Sequence, residues 1–131
     1  MRWPFGDGLV EALRRIKSPA EQAVMREAAG INSKAITAFP AAAVPGATGA
    51  DAVAAAPVVI AEDGAASYCS GVSSGPRTWA WMSAPLPDWL LRRIMERDLV
   101  RLDPARVWQG YLCDFGSTIM AGGGRSPTRR A

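Results

Sequence analysis

The residues in this chain best suited to chemistry are two carboxylates. Asp103 and Asp114 bracket the stretch LDPARVWQGYLCDF, eleven residues apart, with Pro104 and Gly110 between them and apolar residues flanking both. An antiparallel hairpin with Asp103 opposite Asp114 would set Leu102 against Phe115 and Arg101 against Gly116. That register collects the acids on one face and Leu102 with Phe115 on the other. Directly opposed side chains on a hairpin have Cβ atoms about 4.5–5.5 Å apart. Two carboxylates at that range repel, so one takes up a proton or a cation sits between them. Hard divalent cations suit oxygen ligands, and a pair of metals sharing carboxylates suits a hydrolase that activates water. A plainer reading stands beside this one. Asp before Pro is a common turn residue, and Asp114 could accept a backbone hydrogen bond at a bend. Spacing alone leaves both open.

The remaining reactive side chains narrow the chemistry. The chain has no histidine. Histidine-based triads are therefore excluded, and so are zinc sites with histidine unless another chain supplies it. Two cysteines, Cys69 and Cys113, are too few for a disulfide framework. They read as small buried hydrophobes in a reducing compartment, with a disulfide between them left open.

Composition bounds the rest. A length of 131 residues fits one compact domain, and 49% hydrophobic with 21% charged residues argues against disorder. The net charge of +3 comes from scattered basic residues, clustered only at Arg125, Arg129 and Arg130. A nucleic-acid face needs a concentrated stripe, so no nucleic-acid partner is expected. The apolar run around residues 52–61 is too short to cross a bilayer and contains Pro57. The N-terminal stretch lacks the apolar core of a signal peptide. No membrane partner and a cytoplasmic location are the expectation.

Several elements must position the two acids. Residues 1–17 read as a leader or linker running into a short helical turn. A helix then starts with Ser18 as cap, Pro19 at the first helical position and Glu21 closing a capping box. Val24, Ala28, Ile31 and Ala35 form its apolar stripe, and Phe39-Pro40 should end it. After a loop over 40–47, a second helix begins at Thr48, with Asp51 three residues on as at a capping box, and runs to about Glu62. Pro57 should kink or break it, and Gly64 should stop it. Residues 65–84 read as strand and loop, with Thr78–Met82 alternating like a strand. Residues 86–97 suit a short helix. Residues 98–103 and 110–120 read as the two strands of the hairpin, with the first ending at Pro104 or lying at an edge. Residues 122–131 read as a flexible tail.

In this order the segments resemble a known superfamily: the pita-bread metallopeptidases, which include Xaa-Pro aminopeptidase, prolidase, creatinase and methionine aminopeptidase. LRRIKSPAEQAVMREAAGIN resembles the family's opening helix, and PGATGADAVAAA the start of its second. DLVRLDPARVWQGYLCDFGSTIMAGG resembles its first metal-ligand hairpin, the most specific of the three. The resemblance spans roughly residues 10–131.

It implies an α+β fold: half of a pita-bread fold, with two helices packed on an antiparallel sheet that ends in a C-terminal β-hairpin, over residues 18–121. It also implies that Asp103 would chelate one metal of a dinuclear centre and Asp114 would bridge both. A later histidine and two later glutamates would complete the site. The metals of full-length relatives are manganese, cobalt, zinc or iron, and the reaction is hydrolysis of a peptide or related C–N bond. The substrate is then a peptide or small amide.

Three departures accompany the resemblance. Ser117 stands where an arginine is common, Gly49 where a glutamate is common, and SSGPRTWAWMSAPL has no histidine. The chain also stops where the second half of the fold should begin. The expectation is therefore a truncated domain that binds metal weakly or not at all and is inactive alone. Apolar surface around Trp79, Trp81 and Tyr111 would be left for self-association. Two alternatives stand beside it: a degenerate, non-catalytic binding module of the same fold, and an unrelated small α+β domain whose aspartates are turn residues.

Overall fold

A computed structural model describes residues 8–80 and 90–123. Among the described residues, two of three helices pack on one four-stranded antiparallel sheet. Helix α1 (Leu9–Arg15) buries no residue, whereas α2 (Pro19–Ala42) and α3 (Gly49–Glu62) form the helical layer. The strands are β1 (Ala66–Ser74), β2 (Leu99–Trp108), β3 (Tyr111–Asp114) and β4 (Ser117–Met120). Among the described residues no helix is long and apolar enough to cross a membrane.

Both main helices begin with the capping boxes that the sequence signals. Ser18 Oγ accepts from the Glu21 amide while the Glu21 carboxylate accepts from the Ser18 amide, at 3.3 and 2.7 Å. Thr48 and Asp51 repeat the arrangement at 3.1 and 2.8 Å. Each box serves two amides that lack helical partners.

The prolines do less than expected. Helix α2 continues past Pro40 to Ala42, with the Ala43 amide closing on the Phe39 carbonyl at 3.0 Å. Helix α3 runs unbroken through Pro57. Pro57 lies on the exposed face, where its ring is clear of the core and water is at hand for the carbonyl it releases. Alanines make the two helices close neighbours: Ala28, Ala35, Ala52 and Ala56 are fully buried, with Phe39 and Ile60 filling the space around them.

Strand β2 is central, not an edge. It pairs with β1 on one side and with β3 and then β4 on the other, all antiparallel. It also continues through Pro104, against expectation. The pairs flanking that point are Leu102 with Ser117 and Ala105 with Asp114. Between them the partner strand breaks at Phe115–Gly116, so no ladder donor is required of Pro104 on that side. The expected single strand over 110–120 is thus two.

Alternation along β2 sends Val100, Leu102, Pro104 and Arg106 to the helices, where all four are buried. Before β2, the Arg92 guanidinium bonds Ser74 Oγ at 2.9 Å and pairs with Asp98, tying the approach to β2 to the end of β1.

Other expectations change on inspection. Thr78 to Ala80 belong to a 3-10 helix (Gly75–Ala80), not a strand, and Trp79 is exposed. Trp81 and most of the helix expected over 86–97 lie outside the described residues. Leu90 and Leu91 are helical, and Ile94 beyond them is core. Cys69 is exposed and Cys113 half-buried, and both are free, so neither is the fully buried hydrophobe expected. Tyr111 is half-buried and donates to Glu21 Oε1 at 3.0 Å.

Candidate metal centre

The hairpin that carries the aspartates turns at Gln109–Gly110. Both residues have positive φ, 46° and 83°, the conformation of a two-residue type I′ loop. Trp108 and Tyr111 close it as the first pair, so Arg106 meets Cys113 and Ala105 meets Asp114. Asp103 therefore does not oppose Asp114. The pairing differs from the expected one by two residues. A slip of two preserves which face each side chain occupies, whereas a slip of one reverses it. The acids still share the face away from the helices, now as diagonal neighbours. Such positions lie about 7–8 Å apart. That spacing relieves direct contact between like charges and leaves room for a cation between them.

Around Asp103 the sheet is kept small. Gly71 of β1 is its direct partner. On the other side a Cβ at Gly116 would collide with the Leu102 carbonyl oxygen and stand 2.8 Å from Asp103 Oδ1. The carboxylate thus occupies space that any other residue at 116 would fill. Asp103 also has a cation beside it: Arg101 Nη2 donates to Asp103 Oδ2 at 3.2 Å. Arg101 lies two residues earlier on the same face, as strand alternation predicts. Asp103 is half-buried, and Asp114 is exposed.

The break at Phe115–Gly116 is held from the helix side. Asn32, fully buried on α2, donates from Nδ2 to the Phe115 carbonyl at 3.0 Å. It fills an acceptor that the interrupted ladder leaves open. The sequence alone singles out neither Asn32 nor Gly116 as a positioning residue. The available signal for the first is an asparagine at a buried-stripe position, one residue after Ile31.

Directly behind the acids lies an unusual group. Arg106 is fully buried, and among the described residues none of its three guanidinium nitrogens has a hydrogen-bond partner. Burial pushes its pKa down, while Cys113, Asp114 and Cys69 pull it back up. Burial raises the Cys113 thiol, partly countered by Arg106 and by the Asn32 amide.

The donor set fits part of a hard-cation site: two carboxylates on one face, space cleared by glycine, and a positive group already seated on one of them. Among the described residues no group of three or more histidine, cysteine, aspartate or glutamate side chains could hold a metal ion. Two clefts lie away from the acids. One of about 600 Å³ is lined by Arg14, Lys17, Glu21, Met25 and Gly110–Leu112, and one of about 460 Å³ by residues of α2 and the segment before it. Neither includes Asp103 or Asp114.

Residues 23–131 match the model of Metallopeptidase family M24. No curated protein matches the chain. Among solved structures, a single-residue variant of Escherichia coli aminopeptidase P in complex with substrate is similar at 25% identity and a TM-score of 0.74. It covers 86% of this chain and 25% of its own. Prolidase from Pyrococcus furiosus is similar at 25% identity and a TM-score of 0.77, covering 92% of this chain and 35% of its own. E. coli aminopeptidase P with the inhibitor Pro-Leu is similar at 25% identity and a TM-score of 0.74, covering 86% of this chain and 25% of its own. The chain thus spans about a quarter to a third of the length of these relatives.

Proposed function

Because the chain belongs to Metallopeptidase family M24, we propose that Asp103 and Asp114 are its contribution to the divalent metal centre of a peptidase acting on Xaa-Pro or similar bonds. One observation carries the reading. The two carboxylates share one face of the hairpin, diagonally placed beside a glycine that makes room for Asp103. Members of the family are divalent-metal enzymes, and aminopeptidase P and prolidase are the matched structures. Manganese, cobalt, zinc and iron are the candidate metals.

A divalent centre supplies a polarised carbonyl and an acidified water when bound. The chain's own part is to hold cations at Asp103 and, as a shared ligand, at Asp114. Gly116 leaves the Asp103 carboxylate its place, and Asn32 fixes the bend that sets Asp114. Two carboxylates bind a divalent cation weakly, without the further ligands and outer partners that tighten such sites. The 131-residue chain on its own is therefore expected to bind Mn²⁺ weakly and to hydrolyse no Xaa-Pro peptide. Exposed Cys69 accords with a reducing, cytoplasmic setting. The exposed Leu13, Trp79 and Leu91 support self-association.

The test is a Mn²⁺ titration followed by electron paramagnetic resonance, with Asp103→Asn and Asp114→Asn beside the parent chain. Each substitution should weaken binding. Unchanged binding in both, or hydrolysis of an Xaa-Pro peptide by the isolated chain with Mn²⁺ or Co²⁺, would overturn the reading. A second reading, a non-catalytic binding module of the same fold, is favoured by Ser117, Gly49 and the absence of histidine. It predicts no metal binding and a preserved affinity for peptide in both aspartate variants.

A further inference from the structure

We propose that Arg101 is a counter-cation built into the metal site, competing with the divalent ion for Asp103 and so setting how readily the site loads. The inference rests on the assignment of Asp103 as a ligand made above. Arg101 and Asp103 alternate with Leu102 on β2 and so share a face, and the guanidinium reaches back to Asp103 Oδ2 at 3.2 Å. An oxygen engaged by guanidinium N–H groups offers less to a metal. A fixed positive charge a few ångströms away also repels an arriving dication. The two carboxylates carry two negative charges, and Arg101 cancels one of them before any metal arrives.

The sheet offers the guanidinium somewhere else to go. Ser73 of β1 lies directly across from Arg101 on the same face. It is buried, and its hydroxyl has no hydrogen-bond partner among the described residues. When a metal takes the Asp103 carboxylate, that hydroxyl provides an acceptor within reach of a swinging arginine. Arg101 is thus a gate for the ion: seated on the ligand when the site is empty, turned to β1 when it is full.

The experiment compares Mn²⁺ binding by electron paramagnetic resonance and calorimetry in the full chain and in Arg101→Gln, Arg101→Lys and Asp103→Asn, each first checked for folding by circular dichroism. Removing one unit charge about 5 Å from a dication in largely aqueous surroundings is expected to tighten binding about tenfold in Arg101→Gln. Arg101→Lys keeps the charge and should stay near the parent. Asp103→Asn should lose most of the binding. If Arg101→Gln binds no more tightly than the parent while Asp103→Asn still weakens binding, the gate is refuted and the metal site stands. If Asp103→Asn binds as well as the parent, the ligand assignment itself fails and the gate with it. If neither the parent nor Arg101→Gln binds, both are overturned.

Discussion

Replacing Arg106 with methionine should make the protein more stable. The side chain is fully buried on the helix-facing side of β2, and its three guanidinium nitrogens have no hydrogen-bond partner among the described residues. A buried charge without a paired acid costs several kcal/mol of lost hydration. Methionine keeps the length of the apolar stem and discards the charged head. Recovering about 2–4 kcal/mol of desolvation, less about 1 kcal/mol for the void left by the head, predicts a net gain of roughly 1–3 kcal/mol. For a chain of this size about 1 kcal/mol moves the melting temperature by about 3–4 °C, so Arg106→Met should melt about 3–12 °C higher. Arg106→Lys retains a buried charge and should not gain.

The pH dependence has a definite sign. Burial lowers the folded pKa of Arg106 below its unfolded value. The penalty is therefore whole at neutral pH and is relieved only as pH rises through the folded pKa toward the unfolded one. Scanning calorimetry at pH 7 measures the effect at full size. An Arg106→Met protein that melts at or below the parent would refute the reasoning, because it would mean that the guanidinium has a partner worth more than its desolvation.

Three further outcomes are expected. Gly116→Ala sets a Cβ against the backbone oxygen of Leu102 and against Asp103 Oδ1. It should cost about 1–3 kcal/mol in urea unfolding and weaken Mn²⁺ binding together. Glu21 and Asp51 are held below their usual pKa, chiefly by the Ser18 and Thr48 amides that they accept from. Their stabilising contribution is present above the unfolded pKa and is lost as pH falls through the lowered folded value. Thermal melts of Glu21→Gln and Asp51→Asn should therefore lose less stability than the parent between neutral and acid pH. A maleimide should label the exposed Cys69 well before Cys113, whose thiol pKa is raised by burial; mass spectrometry of the two peptides over time reads the order.

What could be read from the sequence follows from the range of each signal. Capping boxes are local, four residues long, and both were legible at Ser18 and Thr48. The proline stops were not, because a proline forbids one hydrogen bond rather than a helix. At Pro57 the surrounding packing of Ala52, Ala56 and Ile60 holds the helix through that loss. The shared face of Asp103 and Asp114 was legible because strand alternation has period two. The register was not, since every even shift satisfies the same pattern. The turn breaks the tie. Opposing the two acids would have set Val107 against Gly110 and put Trp108 and Gln109 at the turn. Instead Gln109 and Gly110 both adopt positive φ, and their twist matches that of the strands they join.

The same two-residue shift alters the energetics of the acids. Had they faced each other, removing either charge would have relieved repulsion, and both asparagine variants should have been more stable. In the observed register Asp103 has Arg101 at 3.2 Å and Asp114 lies diagonally beyond. Neutralising Asp103 then removes one partner of the Arg101 guanidinium, whereas neutralising Asp114 removes one of the charges that favour the buried Arg106 guanidinium. At both positions attraction to an arginine now opposes repulsion between the acids. Each aspartate offsets an arginine, Asp103 the Arg101 on its own face and Asp114 the Arg106 on the opposite face, and a metal that claims both must displace one of those relationships and weaken the other.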